Sequence, residues 1–178
     1  MTSSNETQFD PARESELRGR VGHYLVGGLE GRGVRVGLAC ARFNGGITTR
    51  LISGALEALA EAGVDRSDIT LAWVPGAFEL PVVARGFALG EQVDVVITLG
   101  AVIRGDTGHY DVVAGECARG VQDVQLATGV PVVFGVLTTN TVDQALERSL
   151  PDASNKGRES AQTALEMVNV LRHRVFEA

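Results

Sequence analysis

The residues best suited to chemistry in this chain follow one another from Arg104 to Asp111, in the stretch RGDTGHYD. They come directly after DVVITLGAVI, an apolar run starting at Asp94 that a sheet would bury on both faces. Gly105 and Gly108 free the backbone for a tight turn, and Thr107 is placed to cap the helix that follows. Backbone N–H groups at a helix entrance, beside a threonine hydroxyl, suit a phosphate. The same pattern also makes a plain helix cap. His109 stands at that entrance, where an imidazole either transfers protons near neutral pH or only holds the loop by hydrogen bonding. The other two histidines, His23 and His173, read as surface residues.

Three further stretches carry distinctive side chains. Phe43, in ARFNGG, has no apolar partner at its spacing; it stacks on a planar heterocycle or closes the loop over the sheet. PGAFELP puts Phe78 and Glu79 at the mouth of a strand. A carboxylate there favours the helix start, or accepts hydrogen bonds from the hydroxyls of a polyol. ALERSLPDASNKGRES carries Arg148 at the end of one helix and Lys156 near the start of the next. They are solvated helix-end charges, or Arg148 lends its planar fork to a phosphate.

The elements that must position these groups alternate regularly. VRVGLAC from Val34, ITLAWV from Ile69, DVVITLGAV and VPVVFGVLT are strand candidates, several apolar throughout. Between them, Ile47, Leu51, Ile52, Ala55, Leu56 and Leu59 recur at helical spacing before Gly63. Further helices are expected from about Phe78 to Leu89, His109 to Thr128, Thr141 to Ser149 and Lys156 to Phe176. This alternation predicts an α/β fold: a flavodoxin-like three-layer sandwich, with a four-stranded parallel sheet and helices on both faces. Ligands of such sheets bind outside the carboxyl ends of the strands, and all four distinctive stretches belong there.

With 178 residues and 44% hydrophobic content the chain suits one globular domain. The reading divides it into a flexible polar arm over 1–20 and a single domain over 21–178. Tyr24 to Val26 is a possible small strand, useful only if it pairs elsewhere. The formal charge of -6 argues against a nucleic-acid partner. Cys40 and Cys117 sit in apolar patterns and read as buried hydrophobes, with no metal-like spacing. No signal-peptide core and no membrane-length run occurs, so a cytoplasmic location away from membranes is expected.

Taken in order, RFN, VPGAFELP, ITLGAVIRGDTGHYD, VVFGVLTTNTVDQALER and NKGRESA resemble the lumazine synthase family, from about Tyr24 to Arg172. The resemblance implies condensation of 5-amino-6-ribitylaminopyrimidinedione with 3,4-dihydroxy-2-butanone 4-phosphate to 6,7-dimethyl-8-ribityllumazine, without metal or cofactor. It implies that Phe43 stacks on the pyrimidine, and that Ala77, Phe78 and Glu79 hold the ribityl chain. Val102 and Ile103 would lie beside the ring, and Lys156 near its carbonyl edge. Gly105, Asp106 and Thr107 would cradle the phosphate with Arg148 as its cation, and His109 would carry the proton. Phe134 would cover the pocket from a neighbouring subunit, in a homopentamer with active sites between subunits. Asp106 stands where Glu is common in the family. SLPDAS replaces a glycine-rich turn associated with packing pentamers into closed shells, which argues against such a shell. The alternative is a non-catalytic flavin or lumazine carrier on the same fold.

Overall fold

The computed structural model describes residues 11–173. Strands β1 (Val36–Ala41) and β3 (Val95–Ile103) take the centre of the sheet because their sequences, VGLACA and VVITLGAVI, carry no charge. Every residue of both is buried except half-buried Ile103. Strands β2 (Ile69–Val74) and β4 (Val132–Thr139) flank them, giving the order β2–β1–β3–β4 with all pairs parallel. Leu38 faces Leu71 on one side and Ile97 on the other. The sheet edges are more open, with Leu71 and Trp73 exposed on β2 and Phe134 on β4.

Alternation along the central strands separates two cores. Val36, Leu38, Cys40, Ile97, Leu99 and Ala101 turn toward α2 (Gly45–Glu61) and α6 (Lys156–Leu171). Ala39, Ala41, Val96 and Val102 turn toward α3 (Leu80–Leu89) and α4 (His109–Thr128). The short α5 (Val142–Glu147) links β4 to α6 and buries Ala145 in the first core. Leu51, Leu59 and Leu165 are at most 1% exposed, and burying each contributes about 2 kcal/mol. The architecture is the α/β three-layer sandwich with a parallel four-stranded sheet that the sequence predicts.

Helices α2 and α6 pack closely where glycines permit it. Gly157 lies against the backbone of Leu51, and Gly54 against the side chain of Asn155. Asn155 is 1% exposed and fully engaged. Its Oδ1 accepts from the N–H groups of Gly157 (2.8 Å) and Arg158 (3.3 Å), capping α6. Its Nδ2 donates to the carbonyls of Leu150 (2.9 Å) and Arg50 (3.3 Å).

Several boundaries differ from the sequence reading. Helix α3 begins at Leu80, because Ala77–Glu79 forms a 3₁₀ turn that admits Pro81 only at the helix start. α6 ends at Leu171 with Arg172 as its C-cap; residues 174–178 of the expected helix lie outside the described residues. The polar arm expected over 1–20 carries a helix, α1 (Pro11–Arg18), and its first ten positions lie outside the described residues. Within one chain Tyr24 to Val26 pairs with no strand of the sheet. This segment instead runs toward α6: Gly27 meets the backbone of Glu166, and Asn169 Nδ2 donates to the carbonyls of Gly28 (2.9 Å) and Glu30 (3.0 Å).

Candidate active site

The strand order reverses between β1 and β3, so the loops leaving their carboxyl ends diverge and leave a crevice. Asn44 defines one wall. It is the N-cap of α2, with a left-handed backbone (φ 58°) that few non-glycine residues adopt. Its Nδ2 donates to the Ala101 carbonyl at 2.9 Å, tying the β1 loop to β3. Arg42 and Phe43 donate their N–H groups to the carbonyls of Val74 (2.9 Å) and Pro75 (3.0 Å). With its backbone held this way, the Phe43 side chain projects outward and is 72% exposed.

The second wall is the turn after β2. Glu79 Oε2 accepts from the Gly76 N–H at 2.9 Å, closing Gly76–Glu79 on itself. The carboxylate that sequence reading offers to a polyol therefore already has a structural duty on one oxygen. Phe78, beside it, is 54% exposed.

The third wall is RGDTGHYD. α4 begins at His109, with Gly108 as N-cap and no side-chain cap bond to that residue. Thr107 Oγ1 reaches only the His109 N–H, at 3.4 Å, so its capping is weak and comes from one residue further out. Residues 105–109 are all exposed.

These three walls enclose a cleft of about 680 Å³. Phe43, Ala77, Phe78, Glu79, Val102, Ile103, Gly105, Thr107 and His109 line it together. Asp106 does not; it stays exposed in the loop outside the lining. Tyr110, Val112 and Val113, the next residues of α4, also line the cleft, although sequence reading gave them no role. Val112 and Val113, three and four residues beyond His109 on the same helical face, were readable from that spacing, while Tyr110, its immediate neighbour, was not.

Phe134, Arg148 and Lys156 are elsewhere. They line a separate groove of about 560 Å³ along the outer edge of β4, between α4 and α6. Arg148 Nη1 donates to the Gln144 carbonyl (3.0 Å), and Lys156 Nζ pairs with Glu159 (2.6 Å). The Arg148 carbonyl accepts from the Lys156 N–H at 2.9 Å, so the backbones of the two residues are joined.

Arg104 opens the third wall, at the end of β3. Its guanidinium forks onto Asp111 (2.8 Å) and covers the Tyr110 ring, 4.0 Å from the centroid. Hydrogen bonding from Arg104 holds the Asp111 carboxyl below the usual carboxylate range, against the opposing effect of desolvation. Burial pushes the thiols of Cys40 and Cys117 up to about 12 and about 11, so neither supplies a thiolate nucleophile near neutral pH. Among the described residues no cluster of His, Cys, Asp and Glu is gathered that could hold a metal, and no helix is long and apolar enough to cross a membrane.

Residues 33–172 match the family model of 6,7-dimethyl-8-ribityllumazine synthase, and the chain belongs to that family.

Proposed function

We propose that this protein condenses 5-amino-6-(D-ribitylamino)pyrimidine-2,4-dione with 3,4-dihydroxy-2-butanone 4-phosphate. The product is 6,7-dimethyl-8-ribityllumazine, with release of phosphate and water. The observation that carries this reading is the composition of the cleft. An exposed aromatic, a polar turn, a glycine-threonine loop and a histidine converge at the carboxyl ends of β1, β2 and β3. A planar heterocycle with a polyol tail, set beside a phosphorylated ketone, uses all four.

In this reading Phe43 stacks on the pyrimidine, and the turn Ala77–Glu79 receives the ribityl hydroxyls. Val102 and Ile103 form the floor beside the ring. The backbone of Gly105, Asp106 and Thr107 faces the phosphate at the entrance of α4, where helix N–H groups favour an anion. Asp106 stands between Gly105 and Thr107, which line the cleft, and serves in this reading through its backbone N–H.

Phe134, Arg148 and Lys156 join the site from a second copy of the chain. Their groove along the open edge of β4 is distinct from the cleft within one chain. A ring of copies, each setting its β4 edge against the next cleft, unites the two halves. The reading is therefore a cytoplasmic homopentamer, each chain one domain over residues 21–178, that works without metal or cofactor.

The chemistry needs positioning more than unusual reactivity. The 5-amino group attacks the ketone and water leaves, forming an imine. A proton is removed from the hydroxyl-bearing carbon beside the imine, with His109 taking part in that transfer, and phosphate departs from the next carbon to leave an enol that tautomerises to a carbonyl. The ribitylamino nitrogen then attacks the newly formed carbonyl, and loss of a second water closes the ring. Holding two reactants adjacent supplies much of such a rate.

The test is a two-substrate assay following lumazine absorbance and phosphate release against the uncatalysed background. Saturable formation of both supports the synthase. A folded protein that binds the ribityl compound without exceeding background makes it a carrier instead.

A further inference from the structure

We propose that Arg104 is the positioning residue of this site: its side chain ties the two ends of the loop Gly105–Gly108 together and so fixes both the phosphate-facing backbone and His109. The proposal rests on the reading of the cleft given above.

Arg104 is the first residue beyond β3, yet its N–H still donates to the Thr139 carbonyl at 2.9 Å. Its backbone is thus anchored to the sheet. From that anchor the guanidinium reaches the far end of the loop, in the first turn of α4. Nη2 and Nη1 donate to the two oxygens of Asp111, at 2.8 and 3.2 Å. The same plane lies over the Tyr110 ring at 4.0 Å, and Nε donates to Asn140 Oδ1 at 3.2 Å. One side chain therefore joins β3, the turn after β4 and the entrance of α4. A two-pronged bond and a ring face together fix its orientation, which an ammonium group would not do.

The loop has little else to hold it. Its internal bonds are long, 3.4 Å from His109 N–H to Thr107 Oγ1 and 3.2 Å from Asp111 N–H to the Gly108 carbonyl. Gly105 and Gly108 face open space, and two glycines in four residues leave the backbone many shapes. Arg104 does not line the cleft, and its fork is occupied by Asp111. It acts through the loop, not on the substrate.

The experiment compares R104Q, R104K, D111N and R104Q/D111N with the wild-type protein. It measures kcat, both KM values, the unfolding midpoint, and amide hydrogen exchange over residues 105–109. Exchange is expected to quicken in every variant. The expected loss in kcat is roughly tenfold or more, since small misplacements of reacting groups are costly. KM for the phosphorylated ketone should rise while KM for the ribitylaminopyrimidine stays unchanged. The double variant should be no worse than the single ones, because both remove one interaction. R104K should resemble R104Q.

Full activity in R104K would overturn the proposal, since charge alone would then suffice. So would additive losses in the double variant, or a lowered unfolding midpoint with kcat unchanged. Exchange that does not quicken in R104Q would overturn the clamp by itself. If the wild-type protein makes no lumazine, it is the assigned reaction that fails, and the exchange measurement still decides whether Arg104 closes the loop.

Discussion

Gly157 in α6 rests on the carbonyl of Leu51 in α2, with no space between them for a methyl group. The contact sets the crossing of the two helices, and it does so one residue from Lys156 and next to the buried Asn155 cap. Gly157→Ala would force a Cβ into backbone that has no rotamer with which to yield. Overpacking of this kind costs about 1–3 kcal/mol. Urea unfolding should show the loss as a lower midpoint with an unchanged slope. An unchanged midpoint would mean that α6 slides along α2 freely, which the close contact at Gly54 and Asn155 opposes.

His109→Ala should slow turnover without abolishing it. General acid–base assistance contributes roughly 10²–10⁴-fold, while in the proposed reading the alignment of the two reactants by the cleft is left intact. The measurement is lumazine formation under saturating substrates, read against the uncatalysed reaction. A folded variant indistinguishable from that background would make His109 indispensable and reverse the ranking of proton transfer below alignment.

The central strands were legible because β1 and β3 are short, uncharged and almost wholly apolar between polar flanks, as a doubly covered sheet requires. The start of α3 was less so. AFELP has helical composition, but the Glu79 carboxylate bonds back to Gly76 and tightens the first residues into a 3₁₀ turn. The left-handed residue in RFNGG is Asn44, although two glycines stand beside it, and what secures it is a bond to Ala101 far along the chain. Arg104 and Asp111 are seven apart, a spacing that matches no helical or strand neighbour, so their fork was invisible. The resemblance put Arg148 and Lys156 in one pocket with Phe43 and His109, and only Phe134 on a neighbouring subunit, whereas within one chain all three line a separate groove; order along a sequence does not tell which side of a sheet edge a groove opens on.

That separation gives a prediction about assembly. If the phosphate site pairs His109 of one copy with Arg148 of the next, neither His109→Ala nor Arg148→Ala subunits form an unaltered site among themselves. Refolded together in equal amounts, they should form one at about a quarter of positions, as random neighbours in a ring require. Activity of the mixture should then exceed the mean of the two separate preparations. A mixture that equals the mean would put both residues in one subunit's site, against their positions in separate clefts. Arg148→Ala alone should chiefly raise KM for the phosphorylated substrate, and an unchanged KM would remove Arg148 from that site.

At the opposite end of the sheet, Asp94 sets part of the acid stability. Partial burial alone would raise its pKa, but the side-chain and backbone hydrogen bonds from Arg35 and the charges of Arg35 and Arg172 outweigh that and hold it below the usual carboxylate value. The bonds are specific: the Arg35 N–H at 2.8 Å, Nη2 at 2.9 Å and Nε at 3.3 Å. A carboxylate more acidic in the folded chain than in the unfolded one stabilises fully above its unfolded pKa of about 3.9, and loses that contribution as pH falls through the folded value. Asp94→Asn should therefore unfold at lower urea than wild type at pH 7, and the difference should shrink once the medium is acid enough to protonate Asp94. Urea midpoints of both proteins across that range decide the matter. A gap that stays constant with pH would assign the loss to altered hydrogen bonding at residue 94, and not to the ionised pair with Arg35.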